Sequence, residues 1–213
     1  LQRLTPDSDA LFRICSLIAA GRVPEAWLSH FAGGGLTGLP KPGDDPSSGD
    51  PTRRRLRPIA AGVILRRIVA AIIARHERDS FAAHFTHPAG SSAEGVPIQC
   101  GVACSAGMEL LQHSVEALLQ LHPDWACCQV DCRNAYNEVS RAAILSAVSA
   151  SFPSLSAFLH SLLDPSDPAR LSYRLLSGEW ATLFSASGCQ QGCPLGPFCL
   201  TVLASLSTPS LSW

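Results

Sequence analysis

Two short segments gather the residue types that chemistry needs. In the first, Val130-Asp131-Cys132-Arg133-Asn134-Ala135-Tyr136-Asn137-Glu138-Val139, a carboxylate follows directly on the apolar run Trp125–Val130. A carboxylate at the end of a buried strand is firmly held and faces a cleft. Taking it out of water is costly unless a cation or hydrogen-bond donors stand nearby. Asp131 is thus a candidate cation ligand, or, more simply, the side-chain cap of the helix that follows. In the second, Gly188-Cys189-Gln190-Gln191-Gly192-Cys193-Pro194-Leu195-Gly196-Pro197, three glycines and two prolines fall in ten residues. Such a backbone approaches something closely and then hands over to a helix. Paired glutamines there can donate to phosphates or base edges; the plainer reading is an ordinary loop leading into a helix.

The elements that must carry these segments follow from pattern. Asp9–Ala20 has Leu11, Ile14, Cys15 and Ile18 at helical spacing, with Gly21 ending it. A second apolar stretch runs to Phe31, and Gly33-Gly34-Gly35 breaks it. Leu36–Leu39 and Arg55–Ala60 are expected strands of one long hairpin, with the polar segment Asp44–Thr52 as its exposed, mobile tip. Helices are expected over Gly62–Ser80, Val102–Leu121, Ser140–Ser149 and Phe198–Leu206. Trp125–Val130 has the length and composition of a buried strand. Leu171–Leu176 and Glu179–Ser185, joined by Ser177-Gly178, form a second hairpin, and Gly188–Pro197 is loop. Helices and hairpins in this order give an α+β fold, not a βαβ repeat.

Composition bounds the function. The 213 residues are 46 % hydrophobic with a mean hydropathy of +0.18, enough for a sizeable core. Charged residues are only 15 %, against roughly 25 % in average soluble domains, so the surface is thinly charged. The net charge of −1 argues against a histone-like binder. Yet eight of the 16 basic residues lie between Arg53 and Arg78, a local positive face suited to phosphate or simply to solvent. No run reaches the roughly 18 uncharged apolar residues of a membrane span. Nine cysteines without scaffold spacing point to reduced thiols in an intracellular protein; Cys100/Cys104 and Cys189/Cys193, four apart, are weaker candidates for a zinc site. A chain opening on Leu1 is expected to be a fragment or a processed product.

Taken together, VDCRNAYNEVSR and, some fifty residues later, GCQQGCPLGP closely resemble the A and B motifs of reverse transcriptases of non-LTR retrotransposons. Other segments resemble the same family in the same order. Leu39–Gly43 and Leu56–Ala60 resemble its fingers hairpin, Leu65–Ala70 the helix after it, and Pro97–Val102 the lead into the helix before motif A. The similarity covers roughly residues 20 to 205. It implies an N-terminal helical segment over 1–35, a fingers hairpin and helices over 36–124, and a partial palm over 125–213.

The resemblance also implies roles. In this family, palm carboxylates hold two Mg2+ ions that activate the primer 3′ hydroxyl and neutralise the triphosphate. Asp131 matches the first of them, with the carbonyl of Cys132 joining the coordination. Tyr136 matches the steric gate that excludes a ribose 2′ hydroxyl. Lys41, the sole lysine, and Arg57 match the cations that grip the incoming triphosphate. Gln191 and Gly192 match the loop that packs on nucleotide and template base, while Arg66 and Arg67 would line the template path. Implied partners are an RNA template, a DNA primer and deoxynucleoside triphosphates, with no membrane, and the implied location is intracellular and nuclear.

The sequence also departs from the family. Cys193 replaces the usual aspartate of QQGD, and no Asp-Asp pair follows residue 188, the only such pair being Asp44-Asp45. A thumb is missing too. Because a hard divalent cation takes several oxygen ligands, Asp131 alone cannot hold two of them. The 213-residue chain is therefore expected to be inactive as a polymerase, to expose a strand edge and apolar surface, and to be poorly soluble. The competing reading is a non-catalytic, nucleic-acid-binding relic of the same polymerase.

Overall fold

The computed structural model describes residues 6–41, 56–132, 134–164, 166 and 168–207. The fold is mixed α+β. Helix α1 (Pro6–Ala19) leads through a 3-10 turn at Glu25–Trp27 into α2 (Leu28–Phe31), then strands β1 (Gly34–Pro40) and β2 (Leu56–Gly62). Helices α3 (Ile64–His76), α4 (Arg78–His84) and α5 (Gly107–Leu121) follow. After these come α6 (Ala135–Glu138), α7 (Arg141–Ser151), α8 (Pro153–Leu163), β3 (Ala169–Arg174), β4 (Trp180–Ser185) and α9 (Gly196–Ser207).

The two expected hairpins form, and they join. β1 pairs antiparallel with β2 from Gly34↔Gly62 to Pro40↔Leu56, and β3 with β4 from Ala169↔Ser185 to Arg174↔Trp180. A short parallel pairing, Gly34↔Leu171 and Gly35↔Ser172, links β1 to β3 and gives one sheet in the order β2-β1-β3-β4. β1, which crosses the boundary drawn at residue 35, thus pairs with a strand of the 125–213 segment through Gly34 and Gly35. The tip of the first hairpin, including Arg53, Arg54 and Arg55, lies outside the described residues.

The core is helical. Ile144 and Val148 of α7, Phe158 and Leu159 of α8 and Val202 of α9 are fully buried together with Leu195. Phe81 of α4 stacks on Phe198 with centroids 4.1 Å apart, and Phe152 meets both rings edge-on at 5.2 and 5.0 Å. These geometries satisfy the ring quadrupoles while excluding water.

Four expectations need correction. Gly62–Ser80 is not one helix: the chain turns at Glu77 (φ −85°, ψ 4°), and α4 starts afresh with Phe81 directed to the core. The Val102–Leu121 helix begins only at Gly107, because Ala103 and Ala106 take left-handed conformations (φ 56° and 50°). Helix α8 was not expected, although Pro153 at its first turn and Leu155, Phe158, Leu159 and Leu162 at helical spacing announce it. Most consequential, Trp125–Val130 is not a strand: the segment is irregular and Val130 is 80 % exposed. An apolar run becomes a strand only beside another strand, and the described sheet offers none there. Helix α5, just before this segment, exposes apolar side chains. Met108, Leu110, Leu111, Leu118 and Leu121 of α5 face solvent, and among described residues of that helix only Gly107 is buried. No helix of the described residues is long and apolar enough to cross a membrane.

Candidate functional site

The structure brings the two motif segments together, although some fifty residues separate them. Cys189 N donates to Tyr136 O at 2.8 Å, Gly188 N to Val139 O at 2.9 Å, and Ser187 Oγ to Asn137 O at 2.9 Å. The glutamine loop is held in turn to the first hairpin, where Ala60 N donates to Gln191 O at 2.9 Å. Gly192 (φ +117°) lets the chain pass close to β2: a Cβ there would stand 2.9 Å from Ala60 O.

These junctions enclose an open cleft of about 450 Å3. Leu36, Pro58 and Ala60 of the first hairpin form one wall, and Leu183 and Phe184 of β4 another. Asn134 and Asn137 of the first motif and Gln191 of the second supply amide groups, while Gln190 borders the cleft with its amide engaged by Arg66 and Ala32 O. The cleft is therefore polar on its loop side and apolar on its sheet side, an arrangement able to take a flat, hydrogen-bonding ligand.

Individual residues fall differently. Gln191 lines the cleft, with Gly192 beside it against Ala60. Arg57, opposite Leu39 in the hairpin, and Lys41 just past β1 are exposed, at the end of the hairpin remote from Gly34↔Gly62. Tyr136 does not line the cleft. Its half-buried ring packs on the hydrophobic core and against Gly196, and burial, helped by nearby Cys189 and Cys199, raises its hydroxyl above the ordinary tyrosine range. Asn134, in a left-handed conformation (φ 55°), stands just before the four-residue α6; it and Asn137 line the cleft while Tyr136 does not.

Asp131 and Cys132 are exposed in an irregular segment, so the expectation of a carboxylate fixed at a strand end is not met. Nor does Asp131 cap a helix, since α6 takes Asn134 at that position. Among the described residues no group of three or more His, Cys, Asp or Glu side chains is placed to hold a metal ion. Two Mg2+ ions do not fit this donor set.

Arg66 corrects the expected template contact. It is 3 % exposed and its guanidinium is spent inside the protein. It donates to Phe31 O at 3.3 Å, to Ala32 O, and to Gln190 Oε1 at 2.6 Å, while Gln190 Nε2 donates to Ala32 O at 2.6 Å. Desolvation lowers its pKa, with Cys193 opposing that shift and Arg67 adding to it. Arg67, on the other face of α3, is exposed. Sequence reasoning passed over a second buried arginine, Arg141, also 3 % exposed. Its Nε donates to Gly188 O at 2.8 Å and its Nη2 to Ser185 Oγ at 3.0 Å, tying α7 to β4 and to the glutamine loop. The available signal was its place at the first position of a helix capped by Ser140. No protein-family model matches the chain, and no curated protein matches it either.

Proposed function

We propose that the chain forms the fingers and the first part of the palm of an RNA-directed DNA polymerase of the non-LTR retrotransposon type. The observation that carries the reading is the single cleft on which the fingers-like hairpin, Asn134 and Asn137 of the A-like motif and Gln190 and Gln191 of the B-like motif converge. Three segments far apart in sequence meet at this cleft, and in this reading it receives the incoming nucleotide and its template base. Exposed Lys41, Arg57 and Arg67 supply positive charge from the same hairpin and the helix after it, which suits backbone contact without sequence reading.

In the complete polymerase of this reading, magnesium-bound carboxylates drive deoxynucleotidyl transfer; Asp131 is exposed, and among the described residues no group of acidic side chains joins it to form that centre. That same observation favours the second reading, a nucleic-acid-binding relic without catalysis. The test is a fluorescence-anisotropy titration of an RNA template annealed to a DNA primer, run beside a primer-extension assay with deoxynucleotides and Mg2+. Expected are binding that weakens steeply with salt, a loss of about threefold or more in affinity on Arg57→Ala or Lys41→Ala, and no extension. Binding indifferent to salt and to both substitutions overturns the polymerase reading. Templated extension overturns the relic reading.

A further inference from the structure

We propose that Cys100 and Cys104 form an oxidisable dithiol site, closed to a disulfide by low-molecular-weight disulfides and bridged by trivalent arsenicals. Three cysteine pairs in the chain are four residues apart: Cys100/Cys104, Cys128/Cys132 and Cys189/Cys193. Spacing does not separate them, but the fold does. Cys128 and Cys132 are exposed in a segment with neither helix nor strand. Cys189 is 4 % exposed, its Sγ donates to Gly196 O at 3.8 Å, and burial pushes its thiol up to about 12, so it is sealed from reagents.

Cys100 and Cys104 are both half-buried, and a built turn presents them. Gln99 fixes it: its Oε1 accepts from Gly101 N at 2.6 Å and Val102 N at 2.9 Å, and its Nε2 donates to Val102 O at 2.8 Å. Ala103 and Ala106 adopt left-handed conformations that alanine keeps only where its surroundings impose them. The chain thereby curls until both cysteines lie against Gly107, where a Cβ would stand 1.9 Å from Cys100 O and 3.2 Å from Cys104 Cβ. Cys104 Sγ donates to Ser105 O at 3.9 Å, and desolvation, then the neighbouring Cys104, hold the Cys100 thiol above the ordinary thiol range.

This geometry sets the order of reaction. Cys104 borders two surface cavities, of about 350 and 210 Å3, through which a small reagent reaches it. The Cys104 thiolate attacks one sulfur of the small disulfide and expels the first small thiol, leaving a mixed disulfide. Cys100, losing its proton to solvent, attacks the Cys104 sulfur and expels the second. Two protein thiols are oxidised as one small disulfide is reduced to two thiols.

The experiment incubates the reduced chain with glutathione disulfide, traps free thiols with iodoacetamide at intervals and maps the peptides by mass spectrometry. The Cys100–Cys104 disulfide should form about tenfold faster than Cys128–Cys132, since only the first pair is preorganised. Cys100→Ser should leave a persistent glutathione adduct on Cys104, and Cys104→Ser should leave Cys100 unmodified. Phenylarsine oxide should bind across the pair and lose that bridge in either variant. Equal or faster closure of Cys128–Cys132 overturns the proposal. So does an undiminished preference for Cys100–Cys104 in concentrated urea, which would assign it to spacing and not to the fold.

Discussion

Replacing Gly188 by alanine is expected to destabilise the chain by upwards of about 4 kcal/mol, a large part of the roughly 5–15 kcal/mol that holds a typical domain folded. Two penalties coincide there. Gly188 has φ +69°, a conformation that costs an L residue about 1–2 kcal/mol. In addition, the new Cβ would stand 2.2 Å from Tyr136 O and 2.5 Å from Asn137 C, so backbone must move. That backbone is the seam of the site. Moving it strains the bonds from Gly188 N to Val139 O and from Cys189 N to Tyr136 O, and the one Gly188 O accepts from Arg141 Nε. Gly90, with φ +82° and nothing within 4 Å of its would-be Cβ, is the control. Gly90→Ala should show the conformational penalty alone, about 1–2 kcal/mol. Urea unfolding followed by circular dichroism separates the two. Equal losses at both positions would mean that the motif segments are not locked together.

The second large effect is at Arg66. Arg66→Met keeps approximate volume but deletes every donor of the guanidinium. Phe31 O loses its bond from Arg66, Ala32 O keeps only that from Gln190, and Gln190 Oε1 loses its donor. Each orphaned buried acceptor costs about 1–3 kcal/mol, against which the relief of an uncompensated buried charge counts. A net loss of about 3 kcal/mol is expected, or roughly 6–12 °C in Tm for a chain of this size. Arg66→Lys should recover only part of it, since one ammonium cannot fork between the carbonyls of α2 and Gln190. Calorimetry of the two variants checks this. A Met variant as stable as the parent would show that the buried network does not hold the glutamine loop to α2 and α3.

Much of the architecture was legible because local signals and tertiary context agreed. Both hairpins carry turn residues between extended runs, and α7 begins at a serine that accepts a hydrogen bond from Ala143 N. The misreadings arise where context overrides pattern. Trp125–Val130 has a strand's composition, yet the described sheet gives it no neighbour. Gly33-Gly34-Gly35 looks like a break, yet Gly34 and Gly35 are strand residues that pair with β2 and β3. The site divides in the same way. Sequence placed the two motifs in one centre, and they do share a cleft; it did not reveal which side chains face inward. Arg66 and Gln190, read as candidates for nucleic acid, bond each other instead. Tyr136 turns to the core because the register of a four-residue helix, invisible in the residue pattern, assigns the cleft to its neighbours.

The central claim is that the cleft between the first hairpin and the two motif loops receives nucleic acid. Hydrogen exchange of the chain, with and without an RNA template annealed to a DNA primer, tests it most directly. The account predicts slower exchange in segments 56–62, 134–139 and 186–192 when the hybrid is added. Unchanged exchange in all three, or slowing confined to the buried faces of α7 and α8, would contradict it.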